Sequence, residues 1–194
     1  MPARETTPVY LSPEELERLL AAADKPRDRL ALELLFYSGG RASEVLTASV
    51  GDLTPNGVRL RNLKRRDHRA VKDVVLPIWF RDKLAGFAVG MPLNAPLVAH
   101  LDDPMKPISR QHLWRVFRAC AERAGIYKRR HPDEDFRLAW VHTSRHSHAA
   151  HLVEAGVNLP TIADQLGHSG LANMWVYARM SDPTRVKMIQ EAYT

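Results

Sequence analysis

The segment His142-Thr-Ser-Arg145 sets an imidazole three residues before a guanidinium. On a helix, this spacing puts both side chains on the same face. If the segment begins a helix, the unpaired backbone amides and the helix dipole strengthen its attraction for an anion. The pair therefore indicates either a phosphate-binding site or, as is commoner for such pairs, a surface hydrogen bond.

Two further clusters carry side chains suited to phosphate chemistry. Downstream, Leu-Gly-His168 is followed after nine residues by Tyr177. Upstream, Gly-Arg41-Ala-Ser-Glu44 stands where a helix is expected to end. Each has an ordinary alternative: His168 can cap a helix, Tyr177 can fill a core, and Arg41 can form a buried ion pair with Glu44.

The elements before the Arg41 cluster are predicted to be helical. Ser12-Pro-Glu-Glu has the form of a capping box with proline in the first turn, so a helix should begin there. A second helix is predicted over residues 27–38, stopped by Gly39-Gly40. A short third helix should run from Ala42 to about Ala48.

The hydrophobic pattern then changes to a period of two. Val58 and Leu60 alternate with arginines, and a second apolar run follows at residues 71–75. We predict a small antiparallel sheet over residues 52–77. The loop between its two main runs contains the basic residues Lys64, Arg65, Arg66 and Arg69.

Helical periodicity returns after this sheet. The segments concerned are 78–88, 109–124, 143–155, 159–166, 170–180 and 183–192. The predicted fold class is therefore α+β, mainly α with a small antiparallel β-sheet. Residues 1–9 are expected to form a flexible tail, and residues 10–194 a single domain.

Composition narrows the function. The chain has 194 residues, a formal net charge of +6 and 45% hydrophobic residues, which is typical of a globular protein with a polyanionic partner. A charged surface with no such partner is the simpler alternative. Cys120 is the single cysteine, so a disulfide scaffold is excluded and a cytoplasmic location is expected. No apolar run has the ~20 residues needed to span a bilayer, so no membrane partner is expected.

Taken together, the clusters resemble the catalytic domain of the tyrosine recombinases, the phage integrase family. The family pattern Gly-x-Arg-x-Ser-Glu is matched by residues 39–44, and a hairpin lysine follows. His-x-x-Arg-His is matched by residues 142–146, Leu-Gly-His by residues 166–168, and the nucleophilic tyrosine by Tyr177. Order and intervals agree over about residues 10–190.

This resemblance implies the catalytic-domain fold of that family and an enzyme that cleaves and religates DNA. Tyr177 would attack a phosphodiester, form a 3′-phosphotyrosine and release a 5′-hydroxyl. The bond energy is kept in the covalent intermediate, so no cofactor is required. The implied catalytic residues are Arg41, Lys64, His142, Arg145, His168 and Tyr177.

The roles implied follow phosphoryl-transfer chemistry. The two arginines would hold the phosphate oxygens, and His168 would donate to one of them. His142 would take the phenolic proton, and Lys64 would protonate the leaving oxygen. Lys72, on the returning strand, is the alternative to Lys64. Glu44 and His146 are expected to support the site by holding the catalytic side chains in place.

No metal site is expected. His142 and His146 have the spacing of two metal ligands on a helix, but the zincin pattern needs a glutamate where Thr143 stands.

The expected partner is double-stranded DNA carrying a specific recombination site. Candidate backbone contacts, for which a solvated charged surface is the alternative, are Arg65, Arg66, Arg69, Arg129 and Arg130. The resemblance implies a tetramer on synapsed DNA, with a monomer as the alternative for the free protein. The family's usual N-terminal DNA-clamping domain is expected to be absent from these 194 residues, either because they are part of a longer protein or because the protein is a short, single-domain recombinase. The segment 182–194 is expected to dock either on its own domain or on a neighbouring protomer.

Two rival functions stay open at this point. A type IB topoisomerase would use the same chemistry to relax supercoils without exchanging strands. A DNA-binding regulator with a vestigial active site would lack one of the catalytic residues, and this sequence has all of them.

Overall fold

The structure is a computed structural model that describes residues 9–62, 71–128, 137–167 and Tyr177. Its helices are α1 (Pro13–Ala21), α2 (Pro26–Ser38), α3 (Ala42–Leu46), α4 (Ile78–Ala88), α5 (Arg110–Arg123), α6 (Thr143–Glu154) and α7 (Leu159–Leu166). Its strands are β1 (Leu53–Thr54), β2 (Gly57–Arg61), β3 (Val71–Val75), β4 (Tyr127–Lys128) and β5 (Arg137–Leu138).

The fold class is confirmed as mainly α with small antiparallel sheets. Strands β1, β2 and β3 form a three-stranded antiparallel sheet in that order. Strands β4 and β5 form a separate two-stranded ribbon, which the sequence did not predict because two residues a strand are too few to show a period of two. Helix α3 ends at Leu46, two residues earlier than expected, and Thr47 caps it.

Helix α2 is the centre of the fold. It is buried along almost its whole length, including every residue from Leu30 to Phe36. Such a helix shows no amphipathic stripe because neighbours cover it on all sides. Helices α1, α3, α5 and α6 all contact it.

Glycine ends α2 where the site begins. Gly39 has a left-handed φ of +58°, a conformation that side chains with a Cβ disfavour. A Cβ at Gly39 would lie 2.6 Å from Cδ2 of His148, on α6, and 2.7 Å from Cδ2 of Leu166, at the end of α7. The absence of a side chain therefore lets α6 and α7 pack directly against this turn.

A second, smaller core joins α6 to α7. It contains Tyr177 together with the apolar side chains of Ala149, Val153, Ile162, Ala163 and Leu166. Tyr177 has helical backbone and is buried.

The segment before α1 is tied to α6. The backbone N–H of Leu11 donates to Oγ of Ser147 at 2.8 Å, and the carbonyl of Leu11 lies 2.7 Å from Nε2 of His151. Residues 1–8 of the predicted tail lie outside the described residues. Within the described ranges, every helix is too short or too polar to serve as a membrane span.

Candidate active site

Three of the predicted catalytic residues line one cleft. Arg41, His142 and Arg145 border a cleft of about 720 Å³, with Gly40, Ala42, Ser43 and Val141 beside them. The first part of α5 also lines this cleft, through Arg110, Gln111 and Trp114. The sequence did not single out these three α5 residues, because an exposed face of an amphipathic helix carries no chemical signature of its own.

Arg41 is held by the next turn of chain. Its Nη1 donates to Oε1 of Glu44 at 2.6 Å, and its backbone N–H donates to Oε2 of the same carboxylate at 3.1 Å. The arginine side chain is 27% exposed, whereas Glu44 is 1% exposed. Glu44 thus anchors Arg41 through its backbone N–H and one guanidinium nitrogen. The rest of the guanidinium can face the cleft.

Arg145 is anchored by two backbone carbonyls. Its Nη1 donates to the carbonyl of Gly39 at 2.7 Å, and its Nη2 donates to the carbonyl of Leu166 at 2.8 Å. Both carbonyls belong to helix ends, where they have no partner within their own helix. A guanidinium has five N–H donors, so these two contacts leave three donors of Arg145 unused. Burial, reinforced by the charge of Arg41, lowers the pKa of Arg145 to about 10, which still leaves it protonated at neutral pH.

Glu44 lies between two cations. Besides Arg41, it faces Lys72 on β3, whose Nζ is 3.4 Å from its Oε2. Burial alone would raise the pKa of this carboxyl. The charge of Lys72 and the hydrogen bonds from Arg41 outweigh burial, and the pKa lies below its ordinary value. Glu44 is therefore an anion at neutral pH, as the prediction of a supporting role requires.

His142 lies at the start of α6, where the sequence predicted the beginning of a helix. It occupies the N-cap position, and its ring packs edge-on against that of His146 at a centroid distance of 4.9 Å. One helical turn separates the two residues, so both rings lie on the same side of α6.

His146 contacts the predicted nucleophile directly. Its Nδ1 is hydrogen-bonded to the phenolic oxygen of Tyr177. From the sequence, His146 was predicted only to support the site, because a second histidine one turn after His142 is equally consistent with a purely structural residue. Burial raises the pKa of Tyr177 to about 12, although the charge of Arg145 acts in the opposite direction.

Several predicted residues lie outside the described part of the chain. They are Lys64, Arg65, Arg66, Arg69, Arg129, Arg130 and His168. Their assignments stay predictions. Lys72, the alternative to Lys64, is described and lies in the site, where its Nζ donates to the carbonyl of Leu166 at 3.0 Å.

His148 is a site residue whose environment the sequence did not reveal. Its ring is buried against Phe36 and the turn at Gly39, and its Nε2 has no hydrogen-bond partner among the described residues. Burial, followed by the charges of Arg145 and Lys72, lowers the pKa of His148 to about 4. The histidine is therefore neutral at physiological pH.

The described residues hold no group of three or more metal-ligating side chains placed to bind an ion. The arrangement instead gathers positive charge. Arg41, Arg145 and Lys72 lie around one carboxylate, that of Glu44. Two positive charges are thus left over for an anion. The phosphate predicted at His142 and Arg145 is a chemically suitable ligand.

Comparison with known proteins identifies similar chains. The profile of the phage integrase family matches residues 9–183. A tyrosine recombinase of Pseudothermotoga lettingae is 31% identical over 197 residues, covering 97% of this chain and 63% of that protein. The chain spans about three-fifths of the length of the curated relatives it matches.

Solved structures share the fold. The XerA recombinase matches with a TM-score of 0.71 and 22% identity, over 97% of this chain and 67% of that one. A lambda integrase tetramer bound to a Holliday junction matches with a TM-score of 0.62 and 17% identity, over 83% of this chain and 47% of that one.

Proposed function

Since the chain belongs to the phage integrase family, we propose that it is the catalytic domain of a site-specific DNA recombinase, which cleaves and religates DNA through Tyr177. The observation that carries this proposal is the shared cleft of Arg41, His142 and Arg145. Residues about a hundred positions apart in sequence converge there on one cleft that carries two guanidinium groups and an imidazole.

The reaction that fits this cleft is a transesterification. The phenolic oxygen of Tyr177 attacks the phosphorus, and the bond from phosphorus to the 5′-oxygen breaks. The products are a 3′-phosphotyrosine and a free 5′-hydroxyl. In the second step, the 5′-hydroxyl of a partner strand attacks the phosphotyrosine and releases the phenol, so the number of phosphodiester bonds is unchanged.

The arginines supply the electrostatic part of catalysis. Negative charge builds on the non-bridging oxygens in the transition state. Arg41 and Arg145 each have N–H donors beyond those used in anchoring, and both are fixed before a ligand arrives. Donors that are already oriented stabilise the transition state without a cost of reorganisation.

Proton transfer falls to the neighbouring side chains. A phenol with a pKa of about 12 is almost wholly protonated at neutral pH, so Tyr177 needs a base when it attacks. His142 is the proposed base, with His146 holding the phenol beforehand. Lys64 is proposed to protonate the leaving 5′-oxygen, and His168 to bind a non-bridging oxygen.

DNA is the proposed partner, and the bound form is proposed to be a multimer on synapsed sites. The tetrameric lambda integrase on a Holliday junction supports this by similarity of fold. The basic residues proposed to contact the DNA backbone are Arg65, Arg66, Arg69, Arg129 and Arg130. We also propose that the protein acts in the cytoplasm, where a bacterial or phage chromosome is accessible.

The test is covalent capture of DNA. The protein is incubated with a pool of nicked duplexes that contain a randomised segment, and adducts that survive denaturation are isolated and sequenced. A nick near the cleaved bond lets the short 5′-hydroxyl strand diffuse away, so the adduct accumulates. We expect a protease-sensitive adduct with an enriched sequence for the wild type, and none for Tyr177→Phe.

Two outcomes contradict the proposal: no adduct from the wild type across the pool, or an adduct that persists in Tyr177→Phe. The enriched duplex then separates the rival reactions. Exchange of strands between two labelled copies supports a recombinase, whereas relaxation of a plasmid carrying one copy without exchange supports a topoisomerase.

A further inference from the structure

The ammonium group of Lys72 is fully engaged with protein acceptors. Its Nζ lies 3.0 Å from the carbonyl oxygen of Leu166, 3.5 Å from that of Gln165, and 3.4 Å from Oε2 of Glu44. The side chain is 10% exposed. An ammonium has three N–H donors, and three acceptors face it.

Lys72 shares one acceptor with each of the two arginines. The carbonyl of Leu166 accepts from Lys72 and also from Nη2 of Arg145. The carboxylate of Glu44 faces Lys72 through Oε2 and Arg41 through Oε1. Lys72 therefore contacts one group that anchors each arginine, Glu44 for Arg41 and the carbonyl of Leu166 for Arg145.

The junction between β3 and α7 is shaped around this lysine. Gly167 follows α7 with a φ of +69°, and a Cβ there would lie 2.9 Å from Cδ of Lys72. The side-chain amide of Gln165 pairs with the backbone of Val75, donating to its carbonyl at 2.7 Å and accepting from its N–H at 3.1 Å. The strand and the end of the helix are thus joined through Lys72 and Gln165.

One consequence concerns the orientation of Arg41. An arginine beside a carboxylate tends to pair with both oxygens at once. Here Oε2 of Glu44 is taken by Lys72 and by the backbone N–H of Arg41, and the guanidinium bonds to Oε1 alone. Without Lys72, the guanidinium would be free to turn onto both oxygens and away from the cleft.

Building on the proposed function, we propose that Lys72 is a positioning residue. It holds Glu44 and the Leu166 carbonyl so that Arg41 and Arg145 present their free donors to the same phosphate. It does not protonate the leaving 5′-oxygen, because its three donors point to protein acceptors. That proton is left to Lys64.

A sulfur substitution in the DNA separates the two roles. If the bridging 5′-oxygen at the cleaved bond is replaced by sulfur, the leaving group is a thiolate. A thiol has a pKa of about 8.5, so its anion leaves without a proton donor. A variant lacking the acid is then rescued on the sulfur substrate, whereas a variant lacking a positioning residue is not.

The experiment compares Lys72→Met, Lys72→Arg and Lys64→Ala at saturating concentrations of a duplex recovered from covalent capture. Lys72→Met should cleave both substrates slower than wild type by the same factor, on the order of 100-fold, as expected for loss of transition-state positioning. Lys72→Arg should recover part of the rate because it keeps the charge. Lys64→Ala should be slow on the oxygen substrate only.

Lys83→Met is the matched control. Lys83 also pairs with a buried carboxylate, that of Glu33, but it lies outside the cleft. The Lys83→Met variant should be less stable than the wild type, while its cleavage rate stays at the wild-type value. Rescue of Lys72→Met by sulfur, or an equal loss of rate in Lys83→Met, would overturn the positioning role.

A second measurement needs no DNA. The measurement is a double-mutant cycle of urea unfolding midpoints with Lys72→Met and Glu44→Gln. The double variant should shift the midpoint by clearly less than the sum of the two single shifts, because both substitutions remove the same contact. Additive shifts would overturn the contact network. Absence of any wild-type adduct would instead reject the proposed function and leave this result standing.

Discussion

The phenolic oxygen of Tyr177 is hydrogen-bonded to Nδ1 of His146, which lies one helical turn after His142, the N-cap residue of α6. The nucleophile of the proposed reaction therefore rests on the same helix that carries the proposed base and Arg145. The phenol is buried there, and burial raises its pKa to about 12, so it is protonated at neutral pH.

The ionisation of Tyr177 should reflect that burial. In the free protein, we expect no tyrosinate absorbance from Tyr177 below about pH 11, since its pKa is raised to about 12. The measurement is an ultraviolet pH titration of wild type minus Tyr177→Phe, which cancels the other tyrosines. A difference spectrum with a midpoint near pH 10 would contradict the buried resting position.

The two histidines of α6 should differ in their effect on cleavage. His142→Leu removes the proposed base and should slow adduct formation by about 100-fold or more. His146→Leu removes the resting contact of the phenol but not the proposed base, and it should slow adduct formation by less than about tenfold. The measurement is single-turnover adduct formation on the captured duplex. A larger loss at His146 would assign the role of base to His146, and equal losses would contradict its assignment to His142.

Glu44 should be one of the most sensitive polar residues for stability. Glu44→Gln leaves Arg41 and Lys72 facing a neutral amide in a buried site, and loss of one partner from a buried ion pair costs about 3–5 kcal/mol. Urea unfolding at neutral pH measures this change. Asp73→Asn is the control, because Asp73 pairs with Arg59 on the exposed side of the sheet and its loss should leave the midpoint unchanged. A Glu44→Gln midpoint equal to that of the control would refute the prediction.

Gly167 should tolerate alanine less well than Gly125 does. Both have a left-handed φ, +69° and +64°, which costs an L-residue about 1–2 kcal/mol. Gly125 has open space where a Cβ would be, whereas at Gly167 the Cβ would overlap the stem of Lys72. Gly167→Ala should therefore destabilise more in urea unfolding. The excess should disappear in a Lys72→Ala background, and an excess that persists there would mean that the overlap is not its cause.

His148 should make stability depend on pH. The folded protein keeps His148 neutral down to about pH 4, whereas the unfolded chain takes up the proton near pH 6.5. Between these values the unfolded state binds more protons, so the free energy of unfolding falls as the pH falls. The total loss attributable to His148 approaches roughly 3 kcal/mol at the acidic end.

His148→Phe provides the comparison. Phenylalanine keeps an aromatic ring beside Phe36 and removes both the titration and the unpartnered Nε2. Its unfolding free energy should exceed that of the wild type by a margin that grows from pH 7 to pH 5. If the unfolding free energies of the two proteins change with pH in parallel, unfolding does not lead to proton uptake by His148 in this range.

The sequence by itself determined the order of the described helices α1 to α7, the main antiparallel sheet and three residues of the cleft, Arg41, His142 and Arg145; the helices predicted over 170–180 and 183–192 lie outside the fully described part of the chain. Local physics is sufficient for these features: the capping box at Ser12 and the glycines at 39 and 167 act within a few residues of themselves. The placement of His142 and Arg145 in one cleft agrees with their helical spacing of three residues.

Only the tertiary structure decided which acceptors hold the arginines and where Lys72 lies. The carbonyls of Gly39 and Leu166 carry no signal in the sequence, because every residue has a carbonyl and only the packing of α2 against α6 and α7 leaves these two facing Arg145. The burial of Lys72 behind Glu44 likewise depends on the docking of β3 against α7. Contacts between elements distant in sequence arise from burial and shape, which a linear pattern does not encode.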